Sequence, residues 1–378
     1  MDTGGRDLVA LRLRPTPEAP AQLESLWDEG CAVLPVRWDL PEPEVARLLK
    51  VARPAAFVDG DRTLRLEDPL PARGALCVPT AGSTGEPRLV ELSREALETS
   101  ARLTARRLDA EGARWLCCLP LDHVAGLMTI VRSRLYGADP VLLPGWDPAF
   151  AGGVDADAVS LVPTMLRGLV EQRRDLGRWR WILVGGAGVD PELIARARDL
   201  GANVVRTYGM TETCGGVVYD GVPLDGVEVA TDETGVVRLR TPTIMEGYRG
   251  GAAFGGGWFV TGDLGEWDGV RLKVHGRADD VIVTGGENVA PEEVEALLAS
   301  HPAVADVAVA GRADPKWGQR VVAYVVPAEG ASPALADLRA HVKARAAAHK
   351  APHELVLLDS LPRLPSGKVA RASLSSGA

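Results

Sequence analysis

The sequence is short of several things, and each shortage closes off a class of function. No apolar run approaches the length of a membrane-spanning helix, and the start, MDTGGRDLVALRLRP, is polar, without the apolar core of a secretory leader. Positive charge is not in excess: the net charge is -9, which argues against a general affinity for nucleic acid or anionic membrane. Lysine is scarce, and no Gly-Lys-Ser or Gly-Lys-Thr closes a glycine loop, so there is no Walker A motif. The five cysteines form no CxxC, and their odd number suits reduced thiols rather than a disulfide framework. A cytoplasmic protein acting on small molecules is expected. With 378 residues, 46% hydrophobic and 25% charged, the chain can form two or three domains around ample cores.

What is present centres on PTAGSTGEPRLV, Pro79 to Val90. Gly82 and Gly85 let the backbone bend close to an anion, Thr80, Ser83 and Thr84 add hydroxyl donors, and Arg88 adds a cation that can grip phosphate with two nitrogens. Apolar residues 75–78 suggest a strand leading in. Ser93 with Glu95 suggests a capped helix leading out, over 93–108. Such loops also serve as plain surface turns, and locally both readings stand.

Before the loop, 8–71 reads as short strands and a helix over 43–51, with Val45, Leu48 and Leu49 on one face. After it, WLCCL at 115–119 reads as a buried strand, and His123 opens a helix just past that strand's end, where α/β sheets place ligands. On one continuous helix at about 100° per residue, Arg132 lies about 180° from His123 and Arg134 returns to its face. That geometry argues against Arg132 meeting a substrate beside His123. Apolar runs at 140–143, 159–162 and 181–184 alternate with helical or loop segments, the pattern of a mostly parallel sheet.

The third run opens into Gly185-Gly186-Ala187, a turn that admits a flat ring or merely reverses the chain. RTYGMTETCGG, 206–216, then brings together Tyr208, Gly209, Thr211 and one acid, Glu212. A nucleotide-bound Mg²⁺ needs one or two carboxylates, and a tyrosine ring stacks on a base. A hairpin is expected over 227–240. Asp263, between Gly262 and Leu264, reads as an acid on a turn, able to accept from a diol or to close an Asx-turn. After Asp279 the texture changes to a compact α+β unit with a helix opening at Pro291, strands at 304–310 and 321–326, a helix starting at Ser332-Pro333 and a last strand at 354–358. Local sequence gives Lys368 no role beyond a solvated terminal lysine.

Taken together and in this order, from about Thr80 to Arg371, these segments resemble the acyl-adenylate-forming family: acyl- and aryl-CoA synthetases, peptide-synthetase adenylation domains and luciferases. PTAGSTGEPR resembles the phosphate loop, LPLDHVAG the segment whose histidine gates the acyl pocket, YGMTET the adenine and Mg²⁺ motif, and FVTGDL the ribose motif. GRADDVIVTGGENVAPEEVE resembles the hinge, and LPSGKVAR the catalytic-lysine tail. Arg88 stands where the family usually has Lys, and Ala81 where it has Ser or Thr. The wording GLMTIVRSRLYG and RTYGMTETCGGVVYDGVPLDG is similar to the 2-succinylbenzoate-CoA ligase subgroup of menaquinone biosynthesis, especially its short actinobacterial type.

The resemblance implies an α/β fold: a large N-terminal domain, 1–278, with mostly parallel sheets flanked by helices plus a β-rich part, and a small mobile α+β C-terminal domain, 279–378. It implies ATP, Mg²⁺ and coenzyme A as reactants and cofactor, and a carboxylic acid as substrate. Thr80, Gly82, Ser83, Thr84, Gly85 and Arg88 would hold phosphates. Gly185, Gly186, Ala187, Tyr208, Gly209 and Thr211 would hold the adenine end, Asp263 and Arg277 the ribose, and Glu212 the metal. Lys368, His123 and Arg88 would serve the chemistry, Asp279 would be the pivot, and Gly285, Gly286 and Glu287 would meet coenzyme A. A CoA ligase for another aryl or fatty acid and a carrier-protein-loading adenylating enzyme are the alternatives, and whether the chain forms a homo-oligomer is left open.

Overall fold

A computed structural model describes residues 5–80, 88–363 and 369–375. They form two compact units: Met1–Gly186, Arg196–Glu228 and Arg240–Gly257 in one, and Ala187–Ala195, Val229–Leu239 and Trp258–Ala378 in the other. The first unit is built on two sheets of seven strands each. In one, Leu76–Thr80, Ala32–Arg37, Leu8–Leu13 and Ala56–Asp59 lie side by side, and Ala32–Arg37 and Leu8–Leu13 pair in parallel. Runs such as LVALRL and AVLPVR are buried along almost their whole length, as strands covered on both faces must be. Antiparallel Arg88–Leu92 and Gly247–Tyr248 complete one edge.

The second sheet runs Val141–Leu142, Trp115–Cys117, Ala158–Leu161, Trp181–Val184 and Val204–Met210, all parallel, which agrees with the alternation in the sequence. Helix Arg94–Leu108 connects the two sheets. Ser93 caps it by accepting from Ala96 N at 3.3 Å, and its buried Ser100 and Thr104 bond to Cys214 O and the Tyr219 hydroxyl of the second sheet.

The second unit contains the antiparallel strands Phe259–Trp267 and Leu272–Arg277 and a five-stranded sheet in which Val304–Asp314 and Gly318–Pro327 form a long hairpin. Helices Pro291–Ala299 and Leu335–Lys343 bury Val294, Leu298, Leu338 and Val342 against that sheet.

Several expectations shift. Helix Ala19–Asp28, with Leu23 and Trp27 buried four residues apart, was not anticipated; its polar remainder, Gln22 and Glu24 among it, hides the short stripe. The helix expected from Ser332-Pro333 begins at Leu335. The short strand expected at 203–205 runs on through Tyr208 and Gly209 as Val204–Met210, which pairs antiparallel with Gly215–Tyr219. Asp263 sits inside strand Phe259–Trp267 beside a register irregularity at Leu264/Gly265, not on a turn.

Candidate active site

Thr80 ends its strand and Arg88 begins the next, directly opposite, with the Thr80 hydroxyl donating to Arg88 O at 3.2 Å. Thr80 and Arg88 are therefore fixed against each other. Gly82, Ser83, Thr84 and Gly85 lie outside the described residues, as does Lys368. The Arg88 guanidinium stacks over the Tyr248 ring, 3.9 Å from its centroid, and the Tyr248 hydroxyl donates to Glu212 Oε1 at 2.8 Å. Two predicted ligands from distant parts of the sequence thus meet on one tyrosine that the sequence reading missed. Glu212 is half-buried in the one-turn segment Thr211–Thr213 and has no ion-pair partner among the described residues. No cluster of three metal-ligating side chains occurs among the described residues. A single carboxylate without a protein cation fits a magnesium ion that arrives on ATP and keeps phosphate and water for its other ligands.

Gly185 follows strand Trp181–Val184, and a Cβ there would lie 2.3 Å from Thr207 Oγ1. At Gly209 a Cβ would lie 1.9 Å from Gly215 O. Both glycines are thus required by close strand packing, apart from anything a ligand demands. Gly186 and Ala187 are exposed beyond the same strand end.

His123 is the N-cap of helix Val124–Arg134, with extended backbone at φ -112° and ψ 145°. As an N-cap it joins the helix through its carbonyl, which accepts from Leu127 N at 3.1 Å, but its extended backbone takes its side chain off the helical repeat, so the angle to Arg132 does not decide where the two side chains point. The two arginines of that helix differ sharply. Arg134 is neutralised by Glu24 at 2.8 Å and Asp139 at 2.7 Å. Arg132 is 7% exposed, with its guanidinium 5.0 Å from the Trp115 ring centroid and a single long bond, 3.4 Å, to the Ser160 hydroxyl. Among the described residues its buried Nε has no hydrogen-bond partner and no carboxylate pairs with it, and burial pulls its pKa down.

In the second unit Asp263 and Arg277 are paired across adjacent strands, Nη1 to Oδ1 3.4 Å, and the other arm of Arg277 reaches Asp279 Oδ2 at 3.4 Å. A Cβ at Gly262 would lie 2.5 Å from Arg277 Nη2, so glycine there leaves room for the guanidinium. The expected ribose pair and the expected pivot are therefore joined through one side chain. Gly285 and Gly286, at φ +60° and +85°, make the tight exposed turn between Ile282–Thr284 and Glu287–Val289.

Arg371, three residues past Lys368, meets three carboxylates: Asp280 and Glu292 at 3.2 Å and Glu295 at 2.7 Å. Glu295 holds the guanidinium closest, while Glu292 Oε2 is buried without a partner, and burial pushes the Glu292 acid up to about 7. A raised carboxyl pKa means that the folded protein prefers the protonated form, so this stabilisation is complete below the unfolded value and fades as pH rises through about 7. Glu292→Gln should therefore match wild type near pH 4.5 and be more stable at pH 8, by about 3 kcal/mol for a shift of this size. Urea midpoints at the two pH values measure this, and an equal difference at both would overturn it.

No helix among the described residues is long and apolar enough to cross a membrane. The AMP-binding enzyme model matches residues 65–249, and the AMP-binding enzyme C-terminal domain model matches 293–368. The chain is 39% identical to a probable 2-succinylbenzoate–CoA ligase of Mycobacterium tuberculosis, over 82% of this chain and 86% of that protein. It is 33% identical to indoleacetate–CoA ligase of Aromatoleum aromaticum, over 94% of this chain and 76% of the other. The o-succinylbenzoate CoA synthetase of Bacillus subtilis, solved with its acyl-adenylate intermediate, superposes with a TM-score of 0.86 at 29% identity, covering 98% of this chain and 88% of that one. The same synthetase has been solved with ATP and magnesium ion, again at a TM-score of 0.86 with 28% identity, over 98% of this chain and 90% of that one.

Proposed function

This chain belongs to the AMP-binding enzyme family, and we propose that it joins 2-succinylbenzoate to coenzyme A through an acyl adenylate, a step of menaquinone biosynthesis, in the cytoplasm. The observation that carries the substrate is Arg132. A buried guanidinium without a carboxylate is costly in the free protein and becomes favourable when an anion enters. 2-Succinylbenzoate has two carboxylates, one to be activated and one left as an anion. An aryl acid with a single carboxylate would leave Arg132 unpaired.

In the first half-reaction a substrate carboxylate oxygen attacks the α-phosphorus of ATP, and the bond to the pyrophosphate oxygen breaks. In the second, the coenzyme A thiolate attacks the acyl carbon and AMP leaves. Both partners in the first step are anions, so alignment and positive charge matter more than proton transfer. Thr80, Gly82, Ser83, Thr84, Gly85 and Arg88 would hold the β- and γ-phosphates, and Glu212 would hold the magnesium ion, which neutralises phosphate charge. Gly185, Gly186, Ala187, Tyr208, Gly209 and Thr211 would seat the adenine end, Asp263 and Arg277 the ribose, and His123 would gate the acyl pocket. Lys368 would meet the α-phosphate. A pivot at Asp279, dividing the chain at 278/279, would then withdraw it and bring Gly285, Gly286 and Glu287 to the pantetheine arm.

Steady-state kinetics of Arg132→Met and Arg132→Lys test this. Losing one side of a buried charge pair costs about 2 kcal/mol or more, so Arg132→Met should raise KM for 2-succinylbenzoate at least about thirtyfold. Its free form should melt no lower than wild type, because an unpaired buried cation has gone. Arg132→Lys should fall between. A lowered melting temperature with unchanged KM would mean that Arg132 serves packing. Absence of 2-succinylbenzoate-dependent pyrophosphate exchange in the wild type would overturn the substrate itself.

A further inference from the structure

We propose that Tyr248 is a positioning residue for magnesium-bound ATP, orienting Glu212 with its hydroxyl and Arg88 with its ring. The inference rests on the reading of Glu212 as the metal ligand and Arg88 as a phosphate ligand. It goes beyond that reading by giving the two a shared support.

The segment around Tyr248 grips Glu212 twice. Met245 N donates to Glu212 O at 2.8 Å, fixing the backbone, and the Tyr248 hydroxyl donates to Oε1 at 2.8 Å, fixing the carboxylate plane. One carboxylate oxygen is thus engaged and the other is given a set direction, which is how partners behind a metal ligand commonly work. On the other side, the Arg88 guanidinium lies 3.9 Å from the ring centroid. A planar guanidinium stacks on an aromatic face in a way that a compact ammonium does not, which gives arginine at this position a physical reason.

Tyr248 can hold others because it is itself held. It pairs with Val90 across the antiparallel edge of the first sheet, and its neighbour Arg249 bonds back through N to Leu89 O at 2.8 Å. Glu246 N donates to Glu91 O at 2.8 Å, and Arg73 Nη1 reaches Tyr248 O at 3.5 Å. The ring therefore rides on the strand that begins with Arg88, and it carries the position of that strand to Glu212.

Calorimetric titration of the full chain with ATP in magnesium, ATP in EDTA, and AMP separates this role from plain packing. Tyr248→Phe keeps the ring and removes the donor. It should reduce the gain in ATP affinity due to magnesium about tenfold, the low end for loss of a partner behind a metal ligand, and leave AMP and magnesium-free ATP within twofold. Tyr248→Leu should in addition weaken magnesium-free ATP relative to AMP, because Arg88 loses its platform. In a Glu212→Gln background, Tyr248→Phe should cost nothing further, since the two changes remove one interaction. A Phe variant that keeps the full magnesium gain, or that loses ATP and AMP affinity equally as its melting temperature falls, overturns the proposal. Failure of the premise looks different: Glu212→Gln alone would then keep the magnesium gain, whatever Tyr248 does.

Discussion

Lys368→Ala is expected to slow acyl-adenylate formation by 10² or more while leaving transfer from supplied acyl adenylate to coenzyme A within a factor of a few. During the first half-reaction negative charge gathers on the attacking carboxylate, the α-phosphate and the departing pyrophosphate at once. Removing one well-placed donor from such a centre costs about 10²–10³ in rate, and an ammonium in a water-poor site does more than a neutral donor. The residues around Lys368 support its moving with the pivot. Arg363 and Val369 form an antiparallel bridge, and Ala370 N donates to Pro362 O at 2.9 Å, so the described residues on either side of Lys368 are joined to each other. Arg371 then binds Asp280, the residue after the proposed pivot. A turn at Asp279 would carry the lysine tail with it, which is what a lysine needed in only one half-reaction requires. Measuring the two half-reactions separately is the test, and equal losses in both would defeat the two-state account.

How much of this was legible in the sequence follows from the range of each interaction. Strands such as WILV at 181–184 declare themselves because they are buried on both faces, so every residue is apolar. The Ser93 cap declares itself because its bond spans three residues. The proposed ligand motifs can be put forward from sequence for the same reason, since a loop that cradles phosphate would be written in consecutive residues. Tyr248 is another matter. Its partner Glu212 lies 36 residues away, and neither sheet order nor strand pairing can be read from EGYRG. The angle between His123 and Arg132 takes His123 as a residue of the helix, whereas the helix runs Val124–Arg134 with His123 as its extended N-cap, a difference of one residue that the sequence does not mark. The acid cluster around Arg371 was invisible because Glu292 reads, with Glu293, as the ordinary acidic first turn of a helix, where it would complement the dipole and face water.

The support of the candidate site also rests on a buried ion pair, and breaking that pair is expected to have the largest effect on stability. Arg249 and Glu91 approach to 2.8 Å with both side chains only 2% exposed. The remaining guanidinium nitrogens donate to the carbonyls of Ala52, Arg53 and Leu70, so one side chain ties strand Arg88–Leu92 to helix Glu42–Ala52 and the chain leaving it. Arg249→Ala would leave Glu91 to Arg73, at 3.2 Å and far more exposed, and would take a donor from the carbonyls of Ala52 and Leu70, while Arg53 O keeps its bond from Leu70 N at 2.9 Å. Loss of one partner of a buried pair costs about 3–5 kcal/mol, and the orphaned carbonyls add to it. Lysine cannot substitute, because its ammonium has no planar fork to reach carboxylate and carbonyls together, so Arg249→Lys should recover only part. The double variant Arg249→Met with Glu91→Leu removes both charges and should recover most of the loss, as buried pairs replaced by apolar residues do. Urea unfolding followed by tryptophan fluorescence reads all three; Trp27 belongs to this unit, its indole bonded to Ala75 O at 2.7 Å. A loss below about 1 kcal/mol for Arg249→Ala would place the pair among ordinary surface bridges. In that case the strand carrying Tyr248 would owe its position to backbone pairing with Val90 and not to the charge beneath it.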